Sequence, residues 1–429
     1  MTATASRPDT ATDTTDATAT ATAASATRSQ PGTGRRVLIV VQNLPVPFDR
    51  RVWLEATTLA DHGYAVSVIC PQARGCTAAR ETIDGVDIYR YPLPFEAGNA
   101  IGWIAEFVWC FVATALLSIR VAVRGRGFDV LHACNPPETY VVLGKLWRPF
   151  GKRFLFDHHD LSPEMYLAKG GRAGSALHRG LLALERLTLR NADVVITTNE
   201  SHARLEHERG GVPEGSSIVV RSGPNLAKFR RTDPDPSLKQ GRRHLLAYLG
   251  VIGDQDGVDH LVRAMLALRR GGREDVHCLV IGDGPHFPAI RKLATELGVD
   301  DLITFTGFVR DVDELCRLLS SADLGVVPDP RTEWSDRSTL NKVVEYMYFG
   351  LPVVSYELTE TKVSAGGAAR FAESDDVDDL AATIAALLDD PAERARMGAI
   401  GAERVRSELA WEHSIPHLLE AYDRAFAFD

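Results

Sequence analysis

Cysteine is scarce in this chain: Cys70, Cys76, Cys110, Cys134, Cys278 and Cys316 are all it has in 429 residues. No two form a CxxC pair, and no histidine stands at zinc-finger spacing from a pair. That leaves no basis for a structural zinc or a disulfide framework, and the pattern fits a reducing, cytoplasmic compartment. Basic residues are the minority, 48 Lys and Arg against 57 Asp and Glu, for a net charge of −9. A broad nucleic-acid surface needs the opposite balance, so no nucleic-acid partner is expected. An anionic ligand would have to be held by locally placed cations. Residues 1–34 are mostly Thr and Ala and contain no apolar run. They lack a secretory signal and have little to bury, so a disordered tail is expected.

Long apolar runs are nearly absent too. The exception is Ala100 to Val123, which is long enough to span a bilayer. Glu106 sits inside it, and Arg120 and Arg124 cluster at its end. It also lies between two strand–helix units of one soluble domain, which spanning would tear apart. It reads as a buried helix of that domain. The other reading is a helix lying on a membrane surface, with Trp103, Phe107, Trp109 and Phe111 at the interface.

What is present is an ordinary well-cored composition, 45% apolar and 24% charged, with length for two or three domains. Val37-Leu38-Ile39-Val40-Val41 is a continuous apolar run suited to a parallel strand covered on both faces. A helix follows from about Asp49 to His62, ending at Gly63, and then a strand from Ala65 to Cys70. The alternation continues through strands at Val86–Tyr91, Asp129–Ala133, Arg153–Asp157, Asp193–Thr198 and Ser217–Arg221, with helices between most of them. Phe229 to Arg243, with Pro234, Pro236 and many charges, reads as a linker. The pattern then restarts with strands at His244–Gly250, Val276–Gly282, Leu302–Phe305, Leu324–Val327 and Pro352–Ser355. Trp411 to Phe426 is one more amphipathic helix.

The expected fold class is α/β: two doubly wound parallel-sheet, Rossmann-like domains facing a cleft. The divisions are a tail (1–34), a first domain (35–228), a linker (229–243), a second domain (244–409) and a terminal helix (410–429). Ligands of such sheets bind at the carboxyl ends of the strands, so the chemistry is sought there.

Several constellations fall at or near those ends. Gly282-Asp283-Gly284 follows a strand and opens a helix, but Phe287 holds the place of a third glycine, which excludes a dinucleotide oxidoreductase. A tight turn and direct ligand contact are both open there. Arg337-Ser338-Thr339-Leu340-Asn341-Lys342-Val343-Val344-Glu345 is the most informative stretch. Ser338 or Thr339 can cap a helix, whose free N–H groups suit an anion such as a pyrophosphate. Lys342 adds a cation, and Asn341 and Glu345, four apart, share a face. A carboxylate there can accept hydrogen bonds from a ribose diol. The alternative is a solvated face carrying a helix ion pair. Phe156-Asp157-His158-His159-Asp160 ends a first-domain strand, and Leu131-His132-Ala133-Cys134-Asn135 ends its neighbour. Neighbouring side chains on an extended segment point to opposite faces, which argues against a metal site at the paired histidines. Asp49-Arg50-Arg51 fills the first strand-to-helix loop, where Asp49 is either an N-cap or a cleft residue. Arg221 and Gly253 begin loops on the hinge side.

These motifs, in their order and spacing, resemble the GT-B glycosyltransferases, specifically the large retaining family 4. The resemblance covers residues 36–427. It rests on VLIVVQNLPVPFDRRVWLEA, FDHHDLSPE, LERLTLRNADVVITTNESHARL, VVRSGPN, LGVIGDQDGVDHLVRA, LVIGDGP and NKVVEYMYFGLPVV. It implies transfer of a sugar, with retention, from a nucleotide diphosphate sugar held by the second domain. It also implies a last helix that crosses back to the first domain.

Glu345 matches the second carboxylate of the family's paired-glutamate motif and is expected to hold the ribose hydroxyls. The first carboxylate falls at Arg337, a departure, and the family's basic pair falls at Val251 and Asp256, a second one. Cations for the leaving diphosphate are therefore sought in Lys342, Arg337, Arg331 and Arg221. The expected donor contacts are Gly253, Gly282, Gly284, Arg221, Ser338, Thr339, Asn341 and Glu345. The expected catalytic residues are His158, Asp160, Lys342 and Arg337. Asp49, Arg50, His132 and Asn135 are expected on the acceptor side.

No metal or other cofactor is expected beyond the nucleotide sugar as co-substrate. The expected partners are that donor, a lipid-linked or glycan acceptor of the cell envelope, and the inner membrane surface. Two other readings of the same fold stay open: a nucleotide-sugar epimerase or hydrolase, and a degenerate, non-catalytic partner protein.

Overall fold

The computed structural model describes residues 32–73, 75–93 and 100–427, apart from the side chains at 100, 101, 103 and 104. The tail expected to be disordered lies outside the described residues except for 32–34, as does the side chain of Trp103.

Residues 36–219 supply one sheet. Its strands are β1 (Arg36–Val40), β2 (Ala65–Pro71), β3 (Arg80–Ile83), β4 (Val86–Tyr91), β5 (Val130–Cys134), β6 (Arg153–His158), β7 (Val194–Thr197) and β8 (Ile218–Val219). Their order is β3-β4-β2-β1-β5-β6-β7-β8, parallel except for β3. The helices between them are α1 (Arg50–Asp61), α2 (Ala100–Arg124), α3 (Tyr140–Trp147), α4 (Ser162–Ala168), α5 (Ala176–Asn191) and α6 (Glu200–Leu205).

Residues 244–372 supply the second sheet, in the order β11-β10-β9-β12-β13-β14, all parallel. Its strands are β9 (His244–Leu249), β10 (Val276–Ile281), β11 (Ile303–Gly307), β12 (Leu324–Val327), β13 (Val353–Tyr356) and β14 (Ala369–Ala372). Its helices are α7 (Val258–Arg270), α8 (Phe287–Glu296), α9 (Val312–Ser320), α10 (Glu333–Arg337), α11 (Asn341–Tyr348), α12 (Thr359–Ala365), α13 (Val377–Leu388) and α14 (Pro391–Arg404); α15 (Trp411–Phe426) ends the chain's regular structure.

Strand alternation explains the layers. Val37 and Ile39 of β1 join one core with Trp53 of α1, while Leu38 and Val40 join another with Cys110 and Tyr140. Leu246 and Tyr248 of β9 face α7, and Leu245 and Ala247 face α11. Both faces of each sheet are covered, which is why the strands read as continuous apolar runs.

The helix α15 returns to the first sheet. Trp411, Leu418 and Tyr422 are buried in the core that contains Val37, and Trp411 Nε1 donates to Thr58 Oγ1 at 2.8 Å.

Two strands escape a reading by apolar runs. β3 is a half-exposed edge strand joined to β4 by Asp84-Gly85, both at positive φ. That pair is the two-residue hairpin signal carried by the sequence. β14 is a short edge strand with only Ala372 buried.

The helix α2 differs from a buried domain helix. Its inward face carries Cys110, Thr114, Ser118 and Val121, all fully buried, and Val108, Val112, Leu116, Ile119 and Val123 point outward and are exposed. The inward hydroxyls have partners on α3: Thr114 meets Tyr140 OH, and Ser118 Oγ accepts from Trp147 Nε1 at 3.0 Å. The more apolar face is thus the outer one. Residues Ala105–Arg124 are long and apolar enough to cross a bilayer by length and composition.

Candidate active site

Side chains alternate along β6, so Asp157 and the following His159 project to one side and His158 to the other. Arg51 of α1 grips Asp157 with two hydrogen bonds, Nε to Oδ2 at 2.8 Å and Nη2 to Oδ1 at 2.7 Å. The same guanidinium donates to Val220 O and Ser222 Oγ, tying α1 to the loop after β8. His159 Nδ1 lies 3.0 Å from Asp157 Oδ2. Burial opposes charge on this imidazole, but the Asp157 carboxylate outweighs it and raises the pKa to about 9. Burial likewise opposes charge on Asp157, yet Arg51 and His159 hold it well below the usual carboxylate range. His159 is therefore an imidazolium at neutral pH.

Asn135 fixes the loop that carries it. Its Oδ1 accepts from the backbone N–H groups of His159 and Asp160, at 2.9 and 3.1 Å. Its Nδ2 donates to Asp160 O at 2.6 Å and to Glu138 Oε1 at 3.0 Å. Fully buried, Asn135 orients this loop instead of contacting an acceptor. Asp160 sits partly exposed beside His159, its carboxyl raised by burial.

Four sequence-based expectations for this side need correction. His158 is fully buried, with Nδ1 2.8 Å from Glu206 Oε1 and its ring stacked on Phe156. It faces away from His159 and is a core residue. His132 is also fully buried, hydrogen bonded at 2.7 Å to Tyr422 OH. Burial lowers its pKa to about 4, so it is neutral and anchors α15. Asp49 takes the plain alternative: it is buried and caps α1 by accepting from Val52 N at 3.0 Å. Arg50, next in the chain, leaves the acceptor side altogether. Its guanidinium crosses to the second domain and pairs with Glu345.

Glu55, His132, Cys134 and Asp157 hold ligand-type atoms within 4.8 Å of one another. The charge such a cluster calls for is already present in Arg51, 2.7 Å from Asp157 and 3.2 Å from Glu55.

On the second domain the key element is α11. Glu345 is nearly buried, one turn into the helix, with the Arg50 guanidinium over it. Tyr346 locks the helix: its hydroxyl accepts from Leu249 N at 2.7 Å, and its ring fills the space left by the missing side chain of Gly325. Ser338 and Thr339 do not cap α11. Ser338 Oγ donates to Trp334 O and closes α10, while Thr339 Oγ1 accepts from Asn199 Nδ2 of the first domain at 2.9 Å. Asn199 Nδ2 also donates to Arg337 O at 2.9 Å. The N-cap of α11 is Leu340, which has no side-chain oxygen to offer. Val343 N bonds Leu340 O at 3.0 Å, and the N–H groups of α11 ahead of it have no side-chain cap, the kind of helix start that suits an anion. Asn341, first in the helix, is exposed.

Lys342 is held differently from a free phosphate-binding cation. Its Nζ donates to both oxygens of buried Asp329, at 3.0 and 2.8 Å, and lies 4.8 Å above the Tyr248 ring. Arg337 pairs one turn back with Glu333 at 2.7 Å, and Arg331 pairs with Asp336 at 3.3 Å. Arg221 lines a separate hollow of about 300 Å³ with Arg404, Glu408, His413 and His417, away from the donor loops.

The glycines serve loop packing. A Cβ on Gly282 would lie 1.8 Å from Gly250 O, and one on Gly284 would lie 2.5 Å from Ile252 O. Gly253 N donates to Asp256 Oδ2 at 2.9 Å, so its N–H is occupied. The tight-turn alternative thus accounts for Gly282 and Gly284, and Gly253 likewise serves its own loop. Asp256, at a family cation position, acts as the cap of this loop.

Sequence reading missed His159, Arg51, Asn199 and Asp329. Strand parity from Asp157 was the available signal for His159. Asp329 and Asn199 reach the site only through folding.

Comparison with known proteins agrees with this architecture. The family model described as "Glycosyl transferase 4-like domain" matches residues 49–223, and "Glycosyl transferases group 1" matches 243–390. An MMP alpha-(1->4)-mannosyltransferase of Mycolicibacterium hassiacum is 31% identical, over 86% of this chain and 92% of that protein. A GDP-mannose-dependent alpha-(1-6)-phosphatidylinositol monomannoside mannosyltransferase of Mycobacterium tuberculosis is 31% identical, over 74% of this chain and 93% of its own length. Sucrose-phosphate synthase from Thermosynechococcus elongatus shares the fold, with a TM-score of 0.73 at 20% identity, covering 92% of this chain and all of that one. The chain belongs to the group 1 glycosyltransferases: it is a GT-B enzyme of the GT4 type, a hexosyltransferase. The epimerase, hydrolase and non-catalytic readings gain no support.

Proposed function

We propose that the protein moves a hexosyl group, with retention, from a nucleoside diphosphate sugar to a lipid-linked or glycan acceptor of the cell envelope. The observation that carries this is Glu345: a nearly buried carboxylate at the domain gap, one turn from the uncapped tip of α11. In that position it accepts from the two ribose hydroxyls while the helix tip faces the diphosphate. The bond from the anomeric carbon to the diphosphate oxygen breaks, its electron pair leaving with the diphosphate. The acceptor oxygen bonds to the same face of that carbon, and its proton passes to a phosphate oxygen. His159, an imidazolium at neutral pH, orients and polarises the reacting groups from the first domain. No metal is required in this scheme.

The donor reading is tested with a thermal-shift panel of nucleoside diphosphates and their sugars, since a ligand that binds the native state raises its melting temperature. GDP-mannose comes first, because four of the similar mannosyltransferases are GDP-mannose-dependent by name. Glu345→Ala should weaken whichever nucleotide binds; unchanged affinity by calorimetry removes the ribose role.

The acceptor reading includes contact with the inner membrane surface. Its support is the outward apolar stripe of α2, with exposed Arg120 and Arg124 beside it. Co-sedimentation with anionic vesicles, abolished by Leu116→Glu with Ile119→Glu, is the expected result. No sedimentation with any vesicle removes this part.

A further inference from the structure

Around α11 the donor domain is short of unpaired positive charge, while Arg310, over the first domain's Phe48 ring at 5.5 Å, stands elsewhere in the gap. Among the described residues around α11, Lys342 is bound to Asp329, Arg337 to Glu333 and Arg331 to Asp336. The two positions where the family resemblance expects cations hold exposed Val251 and loop-capping Asp256. Lys342, Asp329 and Asp256 together carry a net negative charge when ionised. A nucleoside diphosphate brings further negative charge to this place, and cleavage of the sugar bond adds more.

One cation of the first domain already stands against α11. Arg50 is the first residue of α1, and its backbone is fixed by the Asp49 cap before it. Its guanidinium touches Glu345, yet its side chain stays 56% exposed while that of Glu345 is 6% exposed. Only the tip is engaged, so the side chain is free to swing about a fixed base. Glu345 lies four residues from the first residue of α11, a rise of about 6 Å. The partner Arg50 holds is the carboxylate that the ribose claims.

We propose that Arg50 is an exchanging cation: it pairs with Glu345 when the site is empty and turns to the diphosphate when the ribose hydroxyls take Glu345. The acceptor domain would thereby supply the charge that the donor domain lacks, and donor binding would be linked to the contact between domains. This rests on the ribose reading of Glu345.

The test compares matched ligands with and without phosphate: GDP against guanosine, and UDP against uridine, by calorimetry on the full-length protein. Arg50→Ala should leave nucleoside affinity equal or higher, because Glu345 loses a competitor. It should weaken the diphosphate by about tenfold or more. The ratio of diphosphate to nucleoside affinity should fall accordingly, with partial recovery in Arg50→Lys and an unchanged melting temperature. Glu345→Ala should weaken nucleoside and diphosphate alike. An unchanged ratio in Arg50→Ala, with Glu345→Ala still weakening both, overturns the exchange and spares the ribose reading. Unchanged nucleoside affinity in Glu345→Ala, or no binding of either pair to the wild type, overturns both.

Discussion

On the first-domain side of the gap, titratable side chains are packed against one another. Arg51, Asp157, Glu55 and His159 share one buried network, and Asn135 fixes the loop above it. On the second-domain side, the loops after β9 and β10 are held by backbone against backbone at Gly250, Ile252, Gly282 and Gly284, with one buried ion pair, Lys342–Asp329, beneath. The second half is thus a close-fitting cradle of peptide groups, while the first half is a close-packed set of titratable side chains. On the proposed function, the cradle suits a flat nucleotide, which needs close approach, and the charged side suits a reaction that develops charge, which needs fixed dipoles and ions.

The contrast can be broken most severely at the buried Lys342–Asp329 pair of the second half. Lys342→Ala leaves Asp329 buried without its partner, and we expect a loss of about 3–5 kcal/mol in stability by denaturant melts. Adding Asp329→Asn should restore much of it. A neutral melt for the single variant would show that Lys342 is free to serve a ligand.

The next effect lies across the gap. Glu345→Ala should reduce kcat/KM for the donor by about a hundredfold, or about 2.7 kcal/mol, with little change in melting temperature.

The two adjacent histidines sharpen the comparison within the first half. His159→Gln should lower turnover by about tenfold or more in a protein that still folds at neutral pH. His158→Gln should act on stability alone, lowering the melting temperature because Glu206 loses its buried partner. His159 also predicts a pH dependence. Its pKa of about 9 exceeds the ordinary value of 6.5. Its pairing therefore stabilises the fold fully below about pH 6.5, and that contribution is lost as pH rises through about 9. The difference in melting temperature between wild type and His159→Gln should shrink over that range.

The smallest expected effect is none. Chelator should leave turnover unchanged, and loss restored by magnesium or manganese would contradict the metal-free scheme.

The alternation of apolar strands with amphipathic helices, read from residues such as Val37–Val41 and Val258–Met265, determined two doubly wound sheets, because a strand covered on both faces has to be apolar throughout. Motif order pointed to the transferase family, and the place of Glu345 one turn into its helix was legible from its spacing to the helix start. Tertiary structure alone decided which charges remain available. Lys342 looks like a phosphate cation until Asp329, 13 residues away on another element, neutralises it. Arg50 looks like an acceptor residue until folding brings it 295 positions along the chain to Glu345. Local pattern specifies backbone periodicity, but an ion's partner depends on distance in space, and only the closed fold sets that distance.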